Sequence, residues 1–152
     1  MEPLDKPTTG YTACPPPFQY ATLAKPFEEI RLLELIWNDQ EAAPIVCKLK
    51  TYELENAPDY MALSYVWGNA SIKEQLLFQF DHTEGVGHYA LDISINLASA
   101  LRRLRSRTSF DWASKTCLVW ADAVCVNQGS VQERSQQVQI MHQIYAAATS
   151  VW

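Results

Sequence analysis

The sequence lacks several features that mark common functional classes. It contains no window of about eighteen apolar residues, and its first residues are not a basic segment followed by an apolar one. We therefore expect neither a transmembrane helix nor a secretory signal, and a cytoplasmic protein without membrane contacts. The formal net charge of -5 provides no excess of cations to neutralise phosphates. Nucleic acid is accordingly not expected as a partner.

Familiar catalytic and metal-binding motifs are also missing. There is no GxSxG nucleophile motif and no phosphate-binding GxxxxGK[ST] loop, and the three histidines show no triad or metal-ligand spacing. The four cysteines, Cys14, Cys47, Cys117 and Cys125, form no CxxC pair. We expect no metal site, no required cofactor, and reduced thiols that are mostly buried.

The composition is that of one globular domain preceded by an unusual segment. Hydrophobic residues make up 48% of the 152 positions, enough for an apolar core at this length. Residues 1–26 hold six of the eight prolines, including Pro15-Pro16-Pro17, and show no helical or strand periodicity. The sequence thus predicts a flexible Pro-rich arm over 1–26 and a folded domain over 27–152.

Five apolar stretches in the first two thirds of the domain predict strands. Residues 30–37 and 45–54 are separated by a turn and predict an N-terminal β-hairpin. The run from Tyr60 to Trp67 is rich in β-favouring residues and predicts a buried strand. Residues 76–80 and 89–93 flank a polar, Gly-containing loop and predict an edge hairpin.

Two helices and a central strand are predicted in the last third. Ser94 is a good N-cap for a helix whose apolar face is formed by Leu97, Ala100, Leu101 and Leu104. Cys117 to Val126 contains one charge and no breaker, which is typical of a central strand.

After that strand, Ser130 to Glu133 matches a capping box and begins a second helix. Its predicted apolar row is Val138, Met141, Tyr145 and Ala148. Val151-Trp152 then opens another strand. Because strands and helices alternate from Tyr60 onwards, we expect an α/β fold with a mostly parallel sheet and flanking helices.

Polar residues at the predicted strand ends are the candidates for function. Asp122 is the one charge of the central strand, where an unpaired carboxylate is costly, so it needs a partner. Asn127 and Gln128 lie between that strand and the next helix, where α/β proteins bind ligands. A purely structural role for Asp122 remains an equally good reading.

The end of the earlier strand supplies a second candidate group. Tyr65, Trp67, Gly68 and Asn69 would lie beside Asn127 if the two strands are parallel neighbours. Together they could form a pocket for a planar, polar ligand such as a nucleotide. The alternative is that Trp67 only fills the core and Gly68 only makes a turn.

Glu133 and Arg134 follow in the first turn of the second helix. Glu133 fits a capping-box acid and is also a candidate catalytic carboxylate. Arg134 precedes Val138 by one turn on the predicted apolar row, so we expect an ion pair between Asp122 and Arg134. Arg134 is also a candidate ligand-binding residue.

Several blocks, in order, resemble the fungal heterokaryon incompatibility (HET) domain. They are YMALSYVWG (60–68), NL with ALRRLR (96–105), WADAVCVNQ (120–128), and ER followed by QV, M and IY (133–145). Ile30-Arg31-Leu32-Leu33 fits the start of the domain, so the resemblance extends over residues 27–152. Met61 and Asn69 stand where the family commonly has acidic residues. Family members usually continue beyond Val151-Trp152, which leads us to expect an incomplete domain.

The resemblance implies a function in fungal non-self recognition and programmed cell death. It implies a signalling or effector module with protein partners, including copies of itself. The HET domain is also considered similar to TIR domains, which implies a TIR-like or flavodoxin-like three-layer fold and, as an alternative, cleavage of NAD as a substrate at the nicotinamide-ribose bond. Asp122 and Glu133 are then the candidate catalytic carboxylates. An inactive fragment is a third alternative.

Overall fold

The computed structural model describes residues 15–64, 71–83, 85–106 and 116–152. These residues form an α/β fold around one sheet of seven strands, in the order β5-β4-β2-β1-β6-β3-β7. The strands are β1 (Glu29–Ile36), β2 (Ile45–Glu53), β3 (Met61–Ala62), β4 (Lys73–His82), β5 (Gly85–Ser94), β6 (Thr116–Trp120) and β7 (Ser150–Val151). The helices are α1 (Ile95–Arg105), the short α2 (Asp122–Cys125) and α3 (Val131–Ala147), and a 3-10 turn spans Leu54–Asn56.

Both predicted hairpins are confirmed. The strands β1 and β2 are antiparallel, with Leu33 opposite Leu49. The strands β4 and β5 are antiparallel along their whole length and lie at one edge of the sheet. In each hairpin the connection between strands is too short for a parallel crossover.

The prediction of a mostly parallel sheet is wrong, because the sheet is mixed. Three of its six neighbouring pairs are parallel, namely β2 with β4, β3 with β6, and β3 with β7. The other three are antiparallel, including β1 with β6. The parallel pairing that the alternation of strands and helices predicted is present among β3, β6 and β7. The two hairpins, however, contribute four of the seven strands and reverse direction within each pair.

The predicted ten-residue central strand over Cys117–Val126 is also wrong in its second half. The strand β6 ends at Trp120, and a helical turn follows in which the amide of Cys125 donates to the carbonyl of Ala121 at 2.7 Å. A short buried apolar run is compatible with either strand or helix, so periodicity alone does not separate the two. As a result Asp122 lies at the start of α2 and not within a strand.

In the described part of the predicted Tyr60–Trp67 strand, residues 60–64, the strand β3 covers Met61–Ala62. Met61 and Ala62 pair in parallel with Val119 and Trp120 of β6. Tyr60 is buried, and its hydroxyl donates to the carbonyl of Ile144 in α3. Residues 65–67 lie outside the described residues.

The helix starts are as predicted, but the buried face of α3 is not. Ser94 accepts from the amide of Leu97 at 3.2 Å, and Ser130 accepts from the amide of Glu133 at 3.1 Å. The buried residues of α3 are Glu133, Gln137, Ile140 and Ile144. Of the predicted row, Met141, Tyr145 and Ala148 are partly buried against the core, whereas Val138 is exposed.

The second half of the Pro-rich segment contacts the domain at several points. The amide of Phe18 donates to the carbonyl of Ala90 in β5, and the hydroxyl of Tyr20 donates to the carbonyl of Val124 at 2.6 Å. Leu23 is buried. Residues 1–14 lie outside the described residues.

The core lies on both faces of β1, since Ile30, Leu32, Leu33 and Leu35 are all fully buried and successive side chains point to opposite faces. Cys47, Cys117 and Cys125 are free, buried thiols, as predicted for them. Burial raises the pKa of the Cys125 thiol to about 12. Among the described helices, none has the length and apolar character needed to cross a bilayer.

Candidate functional site

The carboxyl ends of β3 and β6 are adjacent, as the sequence predicted, because the two strands are parallel neighbours. Asp122 follows β6 after one residue and is half-buried. The four residues predicted to face it from the other strand, Tyr65, Trp67, Gly68 and Asn69, lie outside the described residues. The described part of this strand end therefore includes Leu63 and Ser64 after β3, Asp122 after β6, and Tyr145 of α3.

Tyr145 of α3 reaches this strand end, where its hydroxyl donates to the carbonyl of Leu63 at 3.5 Å. Burial raises the pKa of the Tyr145 phenol, and the negative charge of Asp122 raises it further. The ring of Tyr145 meets the indole of Trp120 edge to face, with centroids 5.3 Å apart. The Trp120 indole Nε1 is buried and has no hydrogen-bond acceptor among the described residues. The rings of Tyr145 and Trp120 thus meet where β6 ends, and Asp122 follows two residues after Trp120.

Asn127 and Gln128 organise the connection between α2 and α3. The side-chain oxygen of Asn127 accepts from the amide of Gly129 at 3.0 Å, and Nε2 of Gln128 donates to the carbonyl of Asp122 at 2.9 Å. Both side chains are half-buried. Asn127 and Gln128 thus each have a hydrogen-bond partner within this part of the chain.

A buried ion pair joins β1 to the first turn of α3. Both terminal nitrogens of Arg31 donate to the carboxylate of Glu133, one to Oε1 and the other to Oε2 at 3.0 Å. The side chains are only 3% and 8% exposed. The two parallel bonds match the planar guanidinium to the planar carboxylate, which is the strongest form of such a pair.

Three further groups complete the environment of Arg31. Its Nη1 donates to the carbonyl of Cys125 at 3.2 Å, and its Nη2 donates to the carbonyl of Ala21 at 2.8 Å. The guanidinium carbon lies 4.9 Å from the centre of the Tyr20 ring, within range of a cation-π interaction. One arginine therefore holds together β1, the end of α2, the start of α3 and the N-terminal segment.

The carboxylate of Glu133 is held in its charged form. Burial alone would raise the pKa of this group, but the hydrogen bonds from Arg31 and from the amide of Asn127, at 3.0 Å, lower it below the ordinary value. Of the capping box, the Ser130 half is present; the carboxylate accepts from Asn127, and the Ser130 amide donates to the carbonyl of Asn127. Both Glu133 oxygens are thus occupied by the protein itself.

The predicted ion pair between Asp122 and Arg134 is wrong. Arg134 is exposed on α3, and no ion pair joins it to Asp122 in the described part of the chain. The prediction placed Arg134 on the buried face of α3 together with Val138. Val138 is exposed to solvent, and so is Arg134. The buried acid near this position is Glu133, and its cation comes from β1.

The family model described as heterokaryon incompatibility protein (HET) matches residues 60–152. The chain belongs to the HET family. It is 29% identical over 134 residues to heterokaryon incompatibility protein 6, OR allele, of Neurospora crassa. That alignment covers 88% of this chain and 20% of the relative, so the chain spans about a fifth of the length of that protein. No solved structure matches the chain significantly.

One surface cleft of this HET domain, of about 540 Å³, lies at the carboxyl end of α1 and is lined by Arg102, Arg103 and Arg105 among others. Arg102 pairs with Glu74, and Arg105 is buried and donates to backbone carbonyls of residues 40–44. Across the described parts of the chain, no three His, Cys, Asp or Glu side chains are grouped as metal ligands.

The sequence interpretation missed Arg31 as the central residue of the site. Its signal was present, since Arg31 is a single charge within the apolar run from Ile30 to Leu33 and a buried charge requires a partner. That reasoning was applied to Asp122 alone. Tyr20 gave no such signal, because nothing in a Pro-rich segment indicates which of its residues contact the domain.

We expect Arg31→Ala to destabilise the domain by about 3 to 5 kcal/mol, because it leaves the Glu133 carboxylate buried without its cation. Arg134→Ala is the matched control, since it removes an exposed arginine from the neighbouring position and should change the free energy of unfolding by less than about 0.5 kcal/mol. Urea denaturation of the three proteins measures the difference. Equal effects of the two substitutions would contradict the assignment.

Stability should also depend on pH through Glu133. Because its pKa is lower in the folded chain than in the unfolded chain, its contribution is complete above the ordinary carboxyl range and is lost as the pH falls through the lowered value. Glu74, whose pKa is lowered by Arg102, adds a smaller, more exposed contribution of the same sign. Glu133→Gln should therefore flatten the acid side of a plot of melting temperature against pH. An acid limb unchanged in Glu133→Gln would refute this.

Proposed function

We propose that this chain is a signalling module of fungal non-self recognition that acts in the cytoplasm through protein partners, including copies of itself. In this proposal its engagement leads to programmed death of incompatible fused cells. The observation that carries the proposal is the family match over residues 60–152. The similarity to a Neurospora crassa heterokaryon incompatibility protein supports it.

At the start of α3, the geometry favours binding of a protein partner over catalysis on a bound ligand. Both Glu133 oxygens are bound by Arg31 and Asn127, and the side chains of Asn127 and Gln128 are bonded within their own connection. In contrast, α3 presents two large apolar side chains to solvent, Val131 and Val138. Exposed apolar groups of this kind are what a protein partner can cover.

The test is regulated expression of the chain in hyphae of a filamentous fungus, scored by uptake of a vital dye into dying compartments. We expect the wild-type chain to cause death and Val138→Lys to reduce it, since a charge on the proposed contact surface opposes association. Gln139→Lys adds the same charge at the next exposed position and serves as the control. Absence of death with the wild-type chain, or equal death with both variants, would count against the proposal.

A second candidate function is cleavage of NAD, and Asp122 is the observation in its favour. This half-buried residue lies at the carboxyl ends of two parallel strands, and its negative charge raises the pKa of the Tyr145 phenol. Cleavage of a glycosidic bond needs a carboxylate near the ribose to stabilise positive charge in the transition state. Glu133, the other candidate, is buried and bound on both oxygens, whereas Asp122 is only half-buried at the end of β6.

Proton NMR of the chain mixed with NAD tests this candidate. If it is correct, free nicotinamide appears with the wild-type chain and not with Asp122→Asn, while both proteins keep dispersed methyl signals. Loss of cleavage in Glu133→Gln would not identify a catalytic residue, because this substitution also lowers the stability of the folded chain. Intact NAD with a well-dispersed spectrum would remove the enzymatic candidate. A collapsed spectrum would indicate a chain that is inactive by itself.

A further inference from the structure

Residues 16–18 run parallel to β5, the edge strand of the described sheet, and form one β-bridge with it. Pro17 lies opposite Ala90. The amide of Phe18 donates to the carbonyl of Ala90, and the amide of Ala90 donates to the carbonyl of Pro16, both at 2.9 Å. The Pro-rich segment therefore occupies backbone groups that an edge strand would otherwise offer to another chain.

Aromatic packing holds this bridge in place. The ring of Phe18 stacks on Phe78 of β4 with centroids 4.1 Å apart, and it meets the ring of Tyr20 edge to face at 5.0 Å. Tyr20 in turn is fixed by its hydrogen bond to Val124 and its contact with Arg31. The bridge thus depends on the same arginine that holds the start of α3.

The residue that faces outward from this bridge is a proline. In a parallel bridge, the residues before and after the central one bond to the neighbouring strand, so the backbone of the central residue points away from it. That central residue is Pro17, which has no N–H. The added segment therefore covers β5 at Ala90 and offers no new donor there to a further strand.

We propose that residues 15–18 are an edge cap which keeps β5 from pairing with β5 of a second copy of this chain. Release of the cap exposes the edge and permits self-association, which is the step on which the proposed signalling function rests. A second copy is the favoured partner because two identical edges can pair antiparallel about a two-fold axis. The ten residues of β5 include the exposed apolar side chains of Val86 and Tyr89.

Amide hydrogen exchange of the full chain tests the cap. The backbone amides of His88 and Ala90 both point away from β4, and the Ala90 amide donates to the carbonyl of Pro16. We expect Ala90 to exchange more slowly than His88, and Phe18→Ala to abolish that difference with about a tenfold loss of Ala90 protection. Phe27→Ala removes an exposed ring from the adjoining segment and should leave Ala90 unchanged. Equal exchange of Ala90 and His88 in the wild-type chain would overturn the cap.

Light scattering after size-exclusion chromatography tests what the cap prevents. Phe18→Ala should approach twice the mass of the wild-type chain as its concentration rises. Adding Ala90→Pro to that variant removes the outward amide and leaves the pairing of β5 with β4 intact, so the double variant should remain at the wild-type mass. A double variant that still associates would show pairing through another surface, and a Phe18→Ala variant that stays at wild-type mass would show that the cap prevents nothing. Either result overturns the proposal.

These outcomes are separate from those of the hyphal assay. Slow exchange of Ala90 and edge-dependent association of Phe18→Ala are properties of the purified chain and do not depend on cell death. If they are observed while the wild-type chain causes no death, the edge cap stands and the signalling function fails. If death occurs without them, the signalling function stands and self-association does not occur through β5.

Discussion

The buried pair of Arg31 and Glu133 is the interaction on which the arrangement of the HET domain depends. An unpaired charge at either position would be costly in the core, so β1 and the start of α3 must approach each other closely enough for both parallel hydrogen bonds. Few side-chain geometries satisfy this requirement. The pair therefore fixes where α3 begins relative to the sheet, and the position of every side chain along that helix follows.

The helical turn after β6 is part of the same arrangement. It places the carbonyl of Cys125 where Arg31 can donate to it and the amide of Asn127 where Glu133 can accept from it. If the chain continued as a strand through Val126, these two backbone groups would lie further along the sheet and the ion pair would lack them. The turn has no glycine or proline to cause it. Its cause is the hydrogen bonding of groups that are distant in the sequence.

This dependence explains what the sequence could predict. The hairpins and the two N-caps were identified correctly, because Ser94 and Ser130 act on amides three residues away and the strand pairs are separated by short turns. The partner of Glu133 was not identified, since it lies 102 residues earlier in the chain. Asp122 was assigned to a strand because the helical turn after β6 also depends on contacts with residues distant in the sequence. Local patterns predicted local structure, and the candidate site is formed by non-local contacts.

The orientation of α3 follows its buried polar contacts and leaves two apolar side chains, Val131 and Val138, exposed. Placing Val131 and Val138 in the core would gain about 1.5 to 3 kcal/mol for each side chain, yet they are 68% and 59% exposed.

The row that is buried instead begins with Glu133 and Gln137, and Gln137 donates to the carbonyls of Pro26 and Glu29 at 2.8 and 2.9 Å. Turning the helix to bury the valines would expose Ile140 and Ile144, which are buried on the same row, so the apolar gain would be offset. It would also break the ion pair, at a cost of about 3 to 5 kcal/mol, and the two Gln137 hydrogen bonds. The polar contacts therefore determine the outcome, because the guanidinium and the carboxylate accept only one relative geometry. The apolar side chains on the outer face of α3 follow from the polar pair on its inner face.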